Sequence, residues 1–389
     1  MNTKTSWQNS KLIGALLLAA CLAGCDKSST MTVKVTNPAA VHRTETVEIP
    51  VGDITERLGS GYYAVSCDGV EIPSQTTYDS LLIFRVELAP GQTLEYSIAT
   101  SDTMPVYAPV ATGRIYPERA DDLAWENDLI GFRAYGPTTQ RKGERAFGYD
   151  IFFKHPTPKP ILEDLYAPET SPRTWEIVDS LRKISKELSQ QYIDSFSYHI
   201  DHGLGMDCYA VGPTLGDGVA ARLVNDSIAF AWCYETAEVL DKGPVRFSAK
   251  MRFAPVDSVV ETRLITLDAG SHLNLCTVTF DGIRDITDIV AGVPRRDNSE
   301  AILGTRYIAY ADPTQGPDNG KALLGVFIPD REVTTEEREG HIVARTAIAP
   351  GENLRYYFGF AWDRADIADM DPWKEYLDNF KKTPLIISY

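Results

Sequence analysis

Thr262-Arg263-Leu264-Ile265-Thr266-Leu267, then Asp268-Ala269-Gly270-Ser271-His272-Leu273-Asn274, then Leu275-Cys276-Thr277-Val278-Thr279-Phe280 before Asp281-Gly282. Two runs rich in β-branched and aliphatic residues flank a short loop holding a glycine, and an Asp-Gly turn follows. Such residues suit a pleated, half-buried surface, and the short connection favours antiparallel neighbours. The same texture recurs at Ser227–Tyr234, Val245–Phe253, Tyr307–Ala311, Ala322–Ile328, His341–Ile348 and Leu354–Ala361. Eight runs of this kind predict a mainly β fold, a large antiparallel β-sandwich.

Upstream, Met31–Thr100 reads as a small immunoglobulin-like β domain. Its strands include Thr32-Val33-Lys34-Val35, Thr46-Val47-Glu48-Ile49, Leu81–Leu88 and Leu94–Ile98. Ala89-Pro90-Gly91-Gln92-Thr93-Leu94-Glu95-Tyr96 is echoed by Ala349-Pro350-Gly351-Glu352-Asn353-Leu354-Arg355-Tyr356. Reuse of one Pro-Gly turn explains the echo better than duplication does. Charge and aromatics thicken from Arg114, and the larger domain is assigned to 106–389, the smaller to 31–105. One or two helices are expected. The first follows Ser171 and Pro172, with Trp175, Val178, Leu181, Ile184, Leu188 and Tyr192 as a core-facing stripe; a short one spans Asp371–Phe380.

Residues 1–24 have the form of a signal peptide. Lys4 and Lys11 precede an apolar run from Leu12 to Ala20, too short for a permanent span. Leu22-Ala23-Gly24-Cys25 reads as a lipobox, with Cys25 acylated and residues 25–30 as a tether. The expected location is the bacterial envelope, lipid-anchored at the outer membrane and facing the periplasm or the surface. The net charge of −16 becomes about −18 once Lys4 and Lys11 are removed, a surface that repels nucleic acid. Cys67, Cys208, Cys233 and Cys276 remain for the mature chain; their pairing is left open, and the absence of CxxC spacing argues against structural zinc.

Three clusters can carry chemistry. The first runs from Trp125-Glu126-Asn127-Asp128 to Arg133-Ala134-Tyr135-Gly136. On a strand, Leu129, Gly131, Arg133 and Tyr135 share a face, where tyrosine stacks on a pyranose and arginine forks onto a carboxylate; a structural Arg–Asp pair is the competing account. The second is Tyr198-His199-Ile200-Asp201-His202-Gly203 with Asp207, two imidazoles suited to acid–base work. No metal is assigned, although Ca2+ or another divalent ion is left open, as is a purely structural role. His272, in the third, is either an acid–base group or a turn residue. Gly212–Gly218 lacks the ending of a phosphate loop, and no G-x-S-x-G or H-E-x-x-H is present.

Trp125–Asp128 with Phe132–Gly136, Tyr198–Gly203, Tyr209–Gly216 and Leu267–Ser271 together resemble the secreted bacterial family named domain of unknown function 4861. Members tend to be encoded among polysaccharide-degradation genes, so the resemblance implies a glycan context without implying catalytic residues. The main domain also looks like the galactose-mutarotase-type supersandwich, an analogy of fold alone.

The leading expectation is a polysaccharide lyase acting on a uronic-acid-containing glycan. His199 or His202 would be the base, Arg133 the carboxylate neutraliser, and Tyr198 or Tyr135 the donor to the leaving oxygen. Trp125, Glu126, Tyr135, Asp201, Asp207 and His272 would contact the polysaccharide or oligosaccharide. The alternatives are a glycoside hydrolase using Glu126 with Asp201 or Asp207, a non-catalytic glycan-binding lipoprotein of an uptake system, and an envelope scaffold. Oligomeric state is not fixed by the sequence.

Overall fold

The computed structural model describes residues 30–316 and 318–389, and the lipobox expectation at Cys25 lies outside them. Every described sheet is antiparallel by its strand pairings. The centre is an eight-stranded sheet in the order Thr236–Asp241, Arg246–Arg252, Val260–Asp268, Leu273–Asp281, Asn353–Trp362, Ala322–Phe327, Tyr307–Asp312 and Ala301–Leu303. The hairpin quoted at the outset sits in its middle, pairing Ile265 with Cys276 and Thr266 with Leu275.

Its inner face packs against two five-stranded sheets. One runs Gly205–Met206, Asp150–Lys154, Gly131–Ala134, Asp122–Glu126 and Thr112–Tyr116; we call it the site sheet. The other includes Ala220–Val224, Thr287–Pro294 and His341–Ile348. Period-2 alternation sends Ile265, Leu267, Cys276, Val278, Phe358 and Phe360 into this core, where they meet Trp125, Phe132, Ile151 and Phe153. Each fully buried Phe or Leu contributes about 1.5–3 kcal/mol. The mainly β sandwich expected from the strand pattern is the observed architecture.

The small N-terminal sandwich pairs a five-stranded sheet with a three-stranded one around Val33, Val47, Ile49, Val65, Phe84 and Tyr96. A helix, Val51–Leu58, interrupts its strands, and the last strand of the chain, Ile386–Ser388, adds to its edge beside Thr30–Thr36. Neither feature was anticipated. Both Pro-Gly echoes form the same turn. Gln92 N donates to Ala89 O and Glu352 N to Ala349 O, while Gly91 and Gly351 take the positive φ that the third position demands.

The described residues hold six α-helices, more than the one or two expected. The stretch read as a single helix is broken into Pro172–Arg182 and Lys186–Asp194, preceded by Leu162–Thr170. Its stripe does not face a core: Ile184 is 75% exposed and Trp175 40%, and of the stripe only Val178 is fully buried. Ser185, rather than Ser171, caps with its side chain, accepting from Glu187 N and Leu188 N. No helix among the described residues is long and apolar enough to cross a membrane.

Candidate functional site

The outer face of the site sheet carries the densest ionisable cluster of the sequence motifs. Alternation puts Asp122, Ala124 and Glu126 outward on one strand, Gly131 and Arg133 on the next, and Asp150, Phe152 and Lys154 on the third. Arg133 is register partner to Asp150. Its Nε donates to Asp150 Oδ2 at 3.0 Å, its Nη2 to the same oxygen, and Nη2 also reaches Asp207 Oδ2 at 3.2 Å. The Tyr135 hydroxyl donates to Asp150 Oδ2 at 2.9 Å. Helix Leu162–Thr170 and Tyr198 cover the apolar remainder of this face, through Leu162, Leu165 and Tyr166 against Tyr116 and Phe152.

Two carboxylates against one guanidinium leave an excess negative charge if both ionise. Burial penalises that charge, and together with the nearby Asp150 it pushes Asp207 up to about 8 despite Arg133, so Asp207 holds a proton at neutral pH. Asp122, buried near the same arginine and accepting from Gly136 N, is pushed up to about 6, chiefly by desolvation. Burial also raises the Tyr135 and Tyr166 phenols, keeping both neutral.

The segment Ser197–Tyr209 folds back as a clip. Asp207 N donates to Tyr198 O at 2.8 Å, and His199 Nδ1 sits 2.8 Å from Asp207 O. A carbonyl only accepts, so Nδ1 carries the hydrogen of this contact, and Nε2 is the other ring nitrogen. The His199 side chain is 56% exposed, and Nε2 has no partner among the described residues. Arg119 donates to the Tyr198 hydroxyl and lies over the Tyr198 ring. His199 and Arg119 thus flank Tyr198 at the surface, with Arg133, Asp150 and Asp207 buried behind them.

The remaining predicted residues lie elsewhere. His202 and Asp201 sit on the exposed part of the clip. Asp201 pairs with His155 at 2.8 Å and accepts from Gly203 N and Gly205 N, so it shapes the loop. Trp125 points inward, fully buried, stacked on Phe132 and Phe247 with Nε1 donating to Asn274; it has no surface for a sugar. Glu126 is buried against Lys154 Nζ at 2.7 Å and accepts from Ile161 N and Leu162 N, so it has no free oxygen for hydrolysis. His272 is buried beyond the core, between Phe360 O at 3.0 Å and Asp366 Oδ2 at 2.9 Å, packed edge-on against Trp373 and Tyr376. It shares nothing with His199. The reading missed Arg119, Asp150 and Lys154. Asp150-Ile151-Phe152-Phe153-Lys154 did carry a signal, charged ends on one face of an apolar strand.

No group of three or more His, Cys, Asp or Glu side chains among the described residues is placed to hold a metal ion. Cys67, Cys208, Cys233 and Cys276 are unpaired, which closes the question of disulfides among them in this structure.

Comparison with known proteins finds the family described as Domain of unknown function (DUF4861) matching residues 35–384. Uncharacterized protein P7 of Formosa agariphila is 25% identical, over 97% of this chain and 97% of its own. Among solved structures, a protein in the Glycosyl Hydrolase Family 38 from Enterococcus faecalis aligns at TM-score 0.47 and an alpha-mannosidase from Enterococcus faecalis V583 at 0.49. Each is 9% identical over 93% of this chain. The chain spans slightly under half the length of either, 47% and 46%.

Proposed function

The chain belongs to the DUF4861 family, and from that premise we propose that it is a carbohydrate-active enzyme, a lyase cleaving a uronic-acid-containing glycan by β-elimination. The glycan context is the one implied by the family resemblance. One observation carries the reaction: His199 has its Nδ1–H held by Asp207 O, which leaves Nε2, on a side chain 56% exposed, as the ring nitrogen free to accept a proton beside the Arg133–Asp150–Asp207 cluster. That is the form of base that removes the C5 proton beside a uronate carboxylate. The displaced electron pair forms the C4–C5 double bond and expels the glycosidic oxygen, to which the Tyr198 hydroxyl, an acceptor from Arg119 with its own hydrogen uncommitted, supplies a proton. Arg133 is buried and engaged by Asp150 and Asp207, so Arg119, 24% exposed and held only at 3.8 Å by Glu169, is the better placed cation for the substrate carboxylate.

Purified protein incubated with a panel of acidic polysaccharides should generate unsaturated uronate absorbance, and His199→Ala should lower the rate by about a hundredfold or more. No unsaturated product on any panel member would defeat the elimination reading. A hydrolase has one observation in its favour, the proton-loaded Asp207. It predicts cleavage without a double bond. Affinity without turnover would instead indicate a glycan-binding lipoprotein. We further infer export and acylation at Cys25, tested by whether Cys25→Ser releases the protein from the membrane fraction.

A further inference from the structure

A second concave site lies away from His199. Between the small sandwich and the outer face of the eight-stranded sheet is a cavity of about 920 Å³. Ligand sites of this size favour domain boundaries. The cleft walls are bolted in place across the boundary. Arg246 Nη2 reaches Glu48 at 2.6 Å while its Nε holds Asp268, Arg85 Nη1 reaches Asp128 at 2.9 Å, and Gln75 Nε2 donates to Arg246 O at 2.9 Å. A cleft held by such contacts is preformed, so a ligand would not bear the cost of closing it.

Most charges lining the cleft are neutralised there. Arg43 and Lys381 share Glu45, Arg246 has Glu48 and Asp268, and His272 has Asp366. Arg355 on the sheet and Glu375 on the helix Met370–Asn379 differ; Arg355 is exposed, lines the cavity, and has no acid within ion-pair reach among the described residues. Tyr357 stands two residues on along the same strand, hence on the same face, and its ring is held edge-on by Phe380 at 4.9 Å. From the opposite wall, Arg85 Nε and Thr46 Oγ1 are buried polar atoms without a protein partner. Arg-x-Tyr on one strand face is the arrangement that suits an acidic sugar, and at 133 and 135 acids already occupy it. At 355 and 357 it is free.

We propose that this interdomain cleft is a binding subsite for an anionic oligosaccharide, Arg355 taking a carboxylate or sulfate and Tyr357 lying against the sugar ring. The choice of ligand rests on the acidic-glycan reading above, but the site is independent of the catalytic residues. The test is calorimetry on the full chain with three probes: a galacturonate tetrasaccharide, its carboxyl-reduced counterpart and a sulfated galactan tetrasaccharide. Arg355→Gln should weaken an acidic probe about tenfold or more and leave the reduced one unchanged, since a charge-assisted bond is lost at an exposed position. His199→Ala should bind as the parent does, so loss of turnover and loss of this site are separately visible. Loss confined to the sulfated probe identifies the anion as sulfate and supports the site. Failure of both acidic probes to bind the parent, or equal affinities of parent and Arg355→Gln for them, overturns it.

Discussion

Replacing Glu126 by alanine separates a structural carboxylate from a catalytic one. Glu126 lies on the outer face of the site sheet with its side chain 2% exposed, facing Lys154, whose side chain is wholly buried. Removing one partner of such a pair strands the other charge and costs about 3–5 kcal/mol. Ile161 N and Leu162 N, which open the helix Leu162–Thr170, lose their acceptor as well, about 1 kcal/mol more. The expected loss is therefore about 4–6 kcal/mol. At roughly 1–2 °C per kcal/mol for a chain of this length, scanning calorimetry should record a fall of roughly 4–12 °C. The double variant Glu126→Gln, Lys154→Met removes both charges and should recover most of that loss, because a buried pair replaced as a unit is nearly neutral. Turnover per folded molecule should survive Glu126→Gln. Unchanged melting together with abolished turnover would refute this reasoning and return Glu126 to the chemistry.

Asp207 should leave a signature in the pH dependence of stability. Its folded value of about 8 stands above the ordinary carboxylate value of about 3.9, so both states hold the proton below about pH 4 and only the folded state does up to about 8. Unfolding then releases a proton, and wild type should lose stability relative to Asp207→Asn as pH rises through that window; parallel melting curves would contradict the assignment. His202→Ala, on the exposed part of the clip, should change stability by no more than about 0.5 kcal/mol and leave turnover intact; a collapse of activity would relocate the base. Gly218→Ala should be severe, about 3 kcal/mol or more by urea titration, since φ is +83° and a Cβ would stand 2.2 Å from that of Phe358. Denatured protein should show Cys67, Cys208, Cys233 and Cys276 alkylated without prior reduction, while native protein reacts first at the partly exposed Cys67.

What a residue faces was legible in the chain; what covers that face was not. Alternation alone places Arg133 and Tyr135 on one side of a strand and Phe132 on the other, and the fold keeps that division. Nothing in the local pattern says that the helix starting at Leu162 will lie over Glu126, or that Lys154 will arrive beside it, because both facts depend on which strands pair. The same limit explains Trp125. Its aromatic ring is equally suited to a sugar and to a core, and only the eight-stranded sheet behind it decides for the core. Helical spacing failed differently. The stripe from Trp175 to Tyr192 is continuous in sequence, but the chain breaks at Ser185, so the phase carried by Val178 does not reach Leu188. The two histidine motifs separated for a topological reason. His199 lies on a loop over one outer face of the sandwich, whereas His272 lies on the other, locked under the helix Met370–Asn379. Two imidazoles on opposite outer faces of a packed sandwich cannot serve one substrate, so a chemistry that needs a second acid–base group beside His199 has to draw it from Tyr135, Tyr198 or Asp207.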